Sequence, residues 1–165
     1  MKKIIIFGNS GSGKSTLAKS ISRELELAHL DLDLIAWTKT VPPTRKSLND
    51  SNKEIKKFLS KNEGWIIEGC YSDLIKLVLD YSTEIIYLDL PVSKCIDNAI
   101  SRPWEPHKYP SKKAQDDNLE MLIEWIRAYE TRSDTFSKFA HDDLYNQYLG
   151  KKRVISSNCS SKKGV

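Results

Sequence analysis

The run Gly8-Asn9-Ser10-Gly11-Ser12-Gly13-Lys14-Ser15-Thr16 constrains this chain more than any other, because it fixes a local geometry and a chemistry together. It satisfies the spacing Gly-x4-Gly-Lys-Ser/Thr. Glycines let backbone N–H groups turn inward around anionic oxygens, and a helix starting near Lys14 aims the positive end of its dipole at the same point. A lysine placed there spans the terminal phosphates of a nucleoside triphosphate, ATP in the first instance, and the Ser15 hydroxyl is a ligand for Mg²⁺. The spacing carries this meaning only between a strand and a helix. Lys3 to Phe7 is a β-rich apolar run, and Leu17, Ile21 and Leu25 recur behind the loop at helical spacing, so that context is present. A merely flexible glycine-serine loop is the competing reading.

Strands and helices alternate along the rest of the chain. His29 to Ile35 alternates polar and apolar residues, which predicts an extended segment with Asp31 and Asp33 on one side. Ser47 to Leu59 reads as a surface helix, Trp65 to Gly69 as a strand, Leu74 to Val78 as a short helix and Glu84 to Leu90 as a further strand. Pro91 is expected as the first residue of a helix carrying Cys95, Ile96 and Ile100, with Asp89 as its cap. Three prolines make Pro103 to Pro110 a loop, and helices over Leu119 to Ile126 and Thr135 to Tyr148 precede a last strand at Lys152 to Ile155. This order predicts an α/β fold, a parallel sheet covered on both faces with ligands at the carboxyl ends of its strands.

At 165 residues the chain fits one domain. No apolar stretch approaches the roughly 20 residues of a membrane span, and Cys70, Cys95 and Cys159 lack the spacing of a disulfide framework or zinc site, so a reducing cytoplasm is expected. The net charge of +4 is scattered; it suits a binder of polyphosphate and forms no stripe for nucleic acid. Asn52-Lys53-Glu54-Ile55 lacks the aspartate of a guanine signature.

On the loop Gly8 to Thr16, Asp31-Leu32-Asp33, Trp65-Ile66-Ile67-Glu68-Gly69 and Ile85 to Pro91, the chain resembles the small P-loop kinases, the group of adenylate kinase and shikimate kinase. It is especially similar to bacterial adenylate-kinase-related proteins sometimes labelled DNA topology modulation proteins. The resemblance implies a three-layer α/β/α sandwich, with a five-stranded parallel sheet and a mobile lid between the fourth and fifth strands. The expected division is a core over 1–102 and 133–157, a lid over about 103–132 and a disordered tail over 158–165. By the same resemblance Arg102 contacts the base or its phosphates, Arg132 reaches the transferred group, and Asp33 orients the acceptor while Asp31 holds the metal.

Glu68 closes an otherwise apolar strand, where a carboxylate is costly unless water, metal or a cation meets it; a metal-water contact is the expectation. Arg127 has Glu124 and Glu130 a turn away, so an exposed ion pair competes with a lid role. Trp37, Trp104 and Trp125 are read as packing or hinge residues with base stacking left open, Trp65 as core, and Cys70 as a packed thiol. Adenylate kinases carry an arginine soon after the Asp-Gly strand end, whereas Gly69 is followed here by Cys70-Tyr71-Ser72-Asp73. Tyr71 and Ser72 are therefore candidates to bond an uncharged acceptor, and Arg45 a candidate to replace the arginine. The function so implied is transfer of a phosphoryl group from MgATP to a small-molecule or nucleotide acceptor by a monomer or homodimer. A nucleoside triphosphatase or a nucleotide-binding regulator, such as a DNA topology modulator, is the alternative.

Overall fold

The computed structural model describes residues 1–158; the tail expected to be disordered, and Cys159 within it, lies outside the described residues from 159 onward. Strand β1 (Lys3–Gly8) is central and pairs in parallel with β3 (Trp65–Gly69) on one side and β4 (Glu84–Leu88) on the other. The edges are β2 (Ala28–Asp31) and β5 (Lys151–Ile155), which gives a five-stranded, all-parallel sheet of order β2-β3-β1-β4-β5.

Strand periodicity divides the apolar residues between two layers. Ile4 and Ile6 point with Ile66, Ile86 and Leu88 toward α1 (Lys14–Leu25), α5 (Val92–Ser101) and α7 (Leu119–Arg127), which supply Ala18, Cys95, Ala99 and Ile126. Ile5 and Phe7 point the other way with Trp65, Ile67, Ile85 and Tyr87. There they meet Ile55 of α3 (Leu48–Lys61), Leu74 and Ile75 of α4 (Ser72–Lys76) and Leu144 of α8 (Lys138–Gln147). Each such side chain contributes roughly 1.5–3 kcal/mol on burial, and β1 contributes one to either layer at every step. Ser47 and Ser137 cap α3 and α8, and Ser111 caps α6 (Lys112–Asp117), each by accepting a backbone N–H from three residues on.

The chain winds from β1 outward to β2, returns to β3, then crosses β1 to β4 and β5. That reversal beside β1 opens a crevice at the carboxyl end of the sheet, into which the loop after β1 emerges. The edge strand β5 keeps its exposed face charged, with Lys151 and Arg153 paired to Glu84.

Three expectations need correction. The extended segment over His29 to Ile35 stops at Asp31, because the Asp31 carboxylate accepts from the Asp33 N–H at 2.9 Å and closes a turn. The chain then enters α2 (Asp33–Ala36), so Asp33 opens a helical turn instead of continuing a strand. Asp89 does not cap α5: Pro91 holds the cap position without a side-chain bond, and Asp89 accepts from Lys138 at 2.9 Å. Finally, the segment 103–132 is not one body. Ile126 of α7 is fully buried and Leu119 and Leu122 pack on the same core, so α7 belongs to the sandwich. No described helix is long and apolar enough to cross a membrane.

One buried polar bridge ties the core to the sheet's end. His141 of α8 is fully buried; its Nε2–H donates to the Cys70 carbonyl at 2.9 Å, which leaves Nδ1 to accept the Tyr129 hydroxyl at 2.8 Å. Burial lowers its pKa to about 4, against the bond to Cys70. The unfolded imidazole takes up a proton from about pH 6.5 downward while the folded one stays neutral, so stability falls as pH drops from about 6.5 to about 4. Relative to His141→Gln, the wild type should lose about 2 kcal/mol of unfolding free energy between pH 7 and pH 4.5 in urea titrations. Equal losses in the two proteins would mean that the ring is not held neutral.

Candidate functional site

The loop from Gly8 to Gly13 is shaped by what lies behind it. A Cβ on Gly11 would stand 2.3 Å from the Cys95 carbonyl oxygen, and φ there is +75°, so the backbone lies directly on α5. Asn98 of α5 clasps the same turn by donating from Nδ2 to the Gly11 carbonyl at 2.8 Å. Buried Asn9 donates to the Ile126 carbonyl of α7 at 3.3 Å. Gly13 has φ +88° and open space where a Cβ would be, and it starts α1 without any side-chain cap. The first amides of α1 thus face the crevice, and no side chain among the described residues caps them. The Ser12 hydroxyl is buried without a partner among the described residues, and Lys14 Nζ donates to the Asn9 carbonyl at 2.7 Å.

Two cavities meet at this loop. One, of about 220 Å³, is lined by Ser10, Gly13, Lys14, Ser15 and Thr16 from the loop and α1, by Asp33 and Glu68 from the sheet side, and by Arg102, Glu105 and Lys108 from the segment after α5. The other, of about 690 Å³, runs along the outer side of the loop between α1 and α5, past Leu17, Asn98, Arg102 and Pro103. Arg102 borders both, with its guanidinium 3.0 Å from Glu105 Oε2.

The acidic residues converge by a route that strand alternation did not describe. Asp31 ends β2 and is buried; burial, followed by the Glu68 and Asp33 carboxylates, pushes its pKa up to about 6. Asp33 is fastened at both oxygens: Oδ1 accepts the Tyr71 hydroxyl at 2.5 Å and Oδ2 accepts Lys108 Nζ at 2.8 Å. Burial alone would push the Asp33 carboxyl up, yet the Lys108 ammonium and the Tyr71 hydroxyl outweigh it and hold the pKa below the usual range. The same ammonium lies 3.6 Å from Asp31 Oδ2, and the two carboxylates raise its own pKa against the effect of burial. Glu68 is 1 % exposed, its Oε1 has no hydrogen-bond partner among the described residues, and the His29 ring Nε2 lies 3.5 Å from that oxygen.

Most of the residues singled out from sequence therefore share one space, but not all. Arg132 is absent from both cavity walls; its guanidinium sits 3.5 Å from the centre of the Trp125 ring and donates to the Trp125 carbonyl. Arg127 pairs with Glu124, as its surroundings suggested. Tyr71 is committed to Asp33 and to the Trp37 indole N–H, Ser72 to the Thr135 hydroxyl, and Arg45 to Asp73 at 3.0 Å while lying over the Tyr71 ring. Lys108 was missed altogether. Its only signal was position: a lysine inside the proline-bracketed loop.

The donor set fits a polyphosphate with a divalent ion. Orphaned amides and Ser12 Oγ line the loop, and the Glu68 oxygen has no internal partner. Among the described residues no three His, Cys, Asp or Glu side chains close around one point. An ion here would draw on the Ser15 hydroxyl, phosphate oxygens and waters held by Asp31 and Glu68, the pattern that suits Mg²⁺.

Comparisons with known proteins agree with the fold. No protein-family model matches this chain. It is 25 % identical over 131 residues to the uncharacterised protein YqaC of Bacillus subtilis, across 78 % of this chain and 73 % of that protein. Over 88 residues it is 36 % identical to cytidylate kinase of Lactococcus lactis, which is 52 % of this chain but only 40 % of that kinase's length. A sugar kinase from a Janibacter species superposes with a TM-score of 0.53 at 13 % identity, covering 94 % of this chain and 85 % of that one. The protein TT1252 of Thermus thermophilus superposes with a TM-score of 0.54 at 14 % identity, covering 96 % and 90 %. These structures share the α/β fold with its parallel sheet.

The packing of the loop on α5 makes a local prediction. Gly11→Ala forces a Cβ against the Cys95 carbonyl at a left-handed φ, and should cost about 2–3 kcal/mol of unfolding free energy in urea titrations. Gly13→Ala meets no neighbouring atom and should cost about 1 kcal/mol. The reverse order would show that the loop does not rest on α5.

Proposed function

We propose that this chain is a P-loop kinase that transfers the γ-phosphoryl group of MgATP to a small-molecule or nucleotide acceptor. The observation that carries the reading is the meeting of Lys14, Ser15, Asp33 and Glu68 on one 220 Å³ cavity, which shares Arg102 with a larger one of a size for a nucleoside. The 36 % identity to a cytidylate kinase over 88 residues and the fold shared with a sugar kinase support it.

In this reading the amides of the Gly8 to Thr16 loop hold the β-phosphate, and Lys14 leaves the Asn9 carbonyl to span the β- and γ-phosphates. Magnesium, when bound, neutralises charge on the phosphate oxygens; Ser15 would ligate it, and Asp31 and Glu68 would hold its waters. The base occupies the larger cavity beside Arg102. Asp33, ionised because Lys108 and Tyr71 favour its charged form, accepts the acceptor's hydroxyl proton as the new P–O bond forms and the bond to the β-phosphate oxygen breaks. Residues 103–118 act as the lid that excludes water, and Arg132 takes part only by leaving Trp125. The Cys70 to Asp73 segment carries no arginine, so the acceptor's anionic group, where it has one, falls to Arg45.

Two variants test the assignment. Lys14→Ala removes one charge-assisted contact worth about 1.5–3 kcal/mol, so MgATP affinity in calorimetry should fall at least about tenfold. Unchanged affinity would remove the loop from the site. Asp33→Asn should keep MgATP affinity within about twofold while acceptor-dependent ADP release, screened over nucleoside monophosphates and hydroxylated metabolites, falls by about 10²–10⁴. ADP release that needs no acceptor in the wild type would favour a triphosphatase instead.

A further inference from the structure

We propose that Lys108 is a phosphate-contacting residue of this site: one N–H of its ammonium holds Asp33 while the others meet the γ-phosphate, so a single cation joins the transferred group to the carboxylate that serves the acceptor. This rests on the reading of the cavity as a triphosphate site and names a residue that meets the terminal phosphate. An ammonium carries three N–H donors. Among the described residues only Asp33 Oδ2, at 2.8 Å, lies within hydrogen-bond distance of Lys108 Nζ; Asp31 Oδ2 at 3.6 Å and Glu105 Oε1 at 4.0 Å act on it through charge alone. Two donors are therefore unmet within the described chain, and Lys108 lines the cavity of about 220 Å³ together with Lys14, Ser15 and Thr16.

The arginines that the sequence offered for the transferred group are placed otherwise. Arg132 lies on the Trp125 ring outside both cavities, and Arg102 has its guanidinium 3.0 Å from Glu105 Oε2. Lys14 comes to the cavity from the loop, Lys108 from the segment after α5, and the backbone that delivers Lys108 is held. Its N–H donates to the Glu105 carbonyl at 3.0 Å, while Gln115 accepts from the Glu105 N–H at 2.9 Å and donates to the Pro103 carbonyl at 3.1 Å. A triphosphate adds negative charge to a cavity that Asp33 and Glu68 already line, and an ammonium standing among the carboxylates offsets the repulsion where the γ-phosphate meets Asp33. Lys108 keeps its bond to Asp33 in this arrangement. The Asp33 side chain is 39 % exposed and each of its oxygens can accept again, so the acceptor's hydroxyl and Lys108 share it.

The test compares MgATP with MgADP by calorimetry on the full chain, because only the former carries the γ-phosphate. In Lys108→Met the ratio of MgATP to MgADP affinity should fall at least about tenfold, the worth of a charge-assisted contact, while MgADP affinity stays within about twofold and reports that the loop and α1 are intact. Lys108→Arg, which keeps the charge and the donors, should bring the ratio back to within about threefold of wild type. In the double variant Asp33→Asn/Lys108→Met the ratio should remain low, since the lost contact is to the phosphate. A ratio restored by removing the Asp33 charge would mean that Lys108 only screens that carboxylate, and overturns the proposal. An unchanged ratio in Lys108→Met, or an equal fall in both affinities, overturns it as well. A wild type that binds neither nucleotide overturns the functional reading instead, so the two failures are told apart before any variant is made.

Discussion

The burial of β1 on both faces is the constraint from which the site follows. A strand flanked by β3 and β4 and covered by helices above and below has no freedom at its end, so the chain must leave the sheet through a turn that fits between α5 and the first turn of α1. Gly11 meets that demand by lying on the Cys95 carbonyl, and Asn98 and Asn9 hold the turn from the side. The amides it turns inward are therefore positioned by the core, before any ligand arrives.

Electrostatics explains how these charged groups share one end of the sheet. Asp31, Asp33 and Glu68 would repel one another in a half-dry crevice, and that repulsion adds to burial in raising the pKa of Asp31. Lys108 meets two of them, and Lys14 turns to a backbone carbonyl, so both lysines of the site have internal partners. Glu68 is left with an oxygen that nothing in the described chain bonds.

What was legible in the sequence divides along physical lines. The strand, loop and helix from Lys3 to Leu25 could be read because glycine spacing, apolar run and helical period agree there. Four of the sheet's five strands were legible from their apolar β-rich runs, to within a residue or two at their ends. The alternation from His29 to Ile35 misled, because the Asp31 side chain takes a backbone N–H and ends the strand, a local bond that periodicity does not register. Asp89 looked like a cap by its distance from Pro91, but a lysine from α8, distant in sequence, claims it. The expected lid boundary rested on prolines and arginines, whereas Ile126, on the face of α7 that meets the core, places that helix in the sandwich.

Lys108 shows where sequence reading stops. Prolines at 103, 106 and 110 say only that the chain is irregular; they do not say which side chain the irregular path delivers, or to what. The delivery depends on Gln115 drawing the loop's arms together, and on β2 ending early enough for Asp33 to turn toward the ammonium. Had Asp31 and Asp33 lain along one strand, their spacing would have been fixed by the pleat, and a single ammonium could have met both only across an extended edge. The turn at Leu32 brings them around one cation instead. The feature that broke the sequence expectation is thus the one that assembles the acidic half of the site.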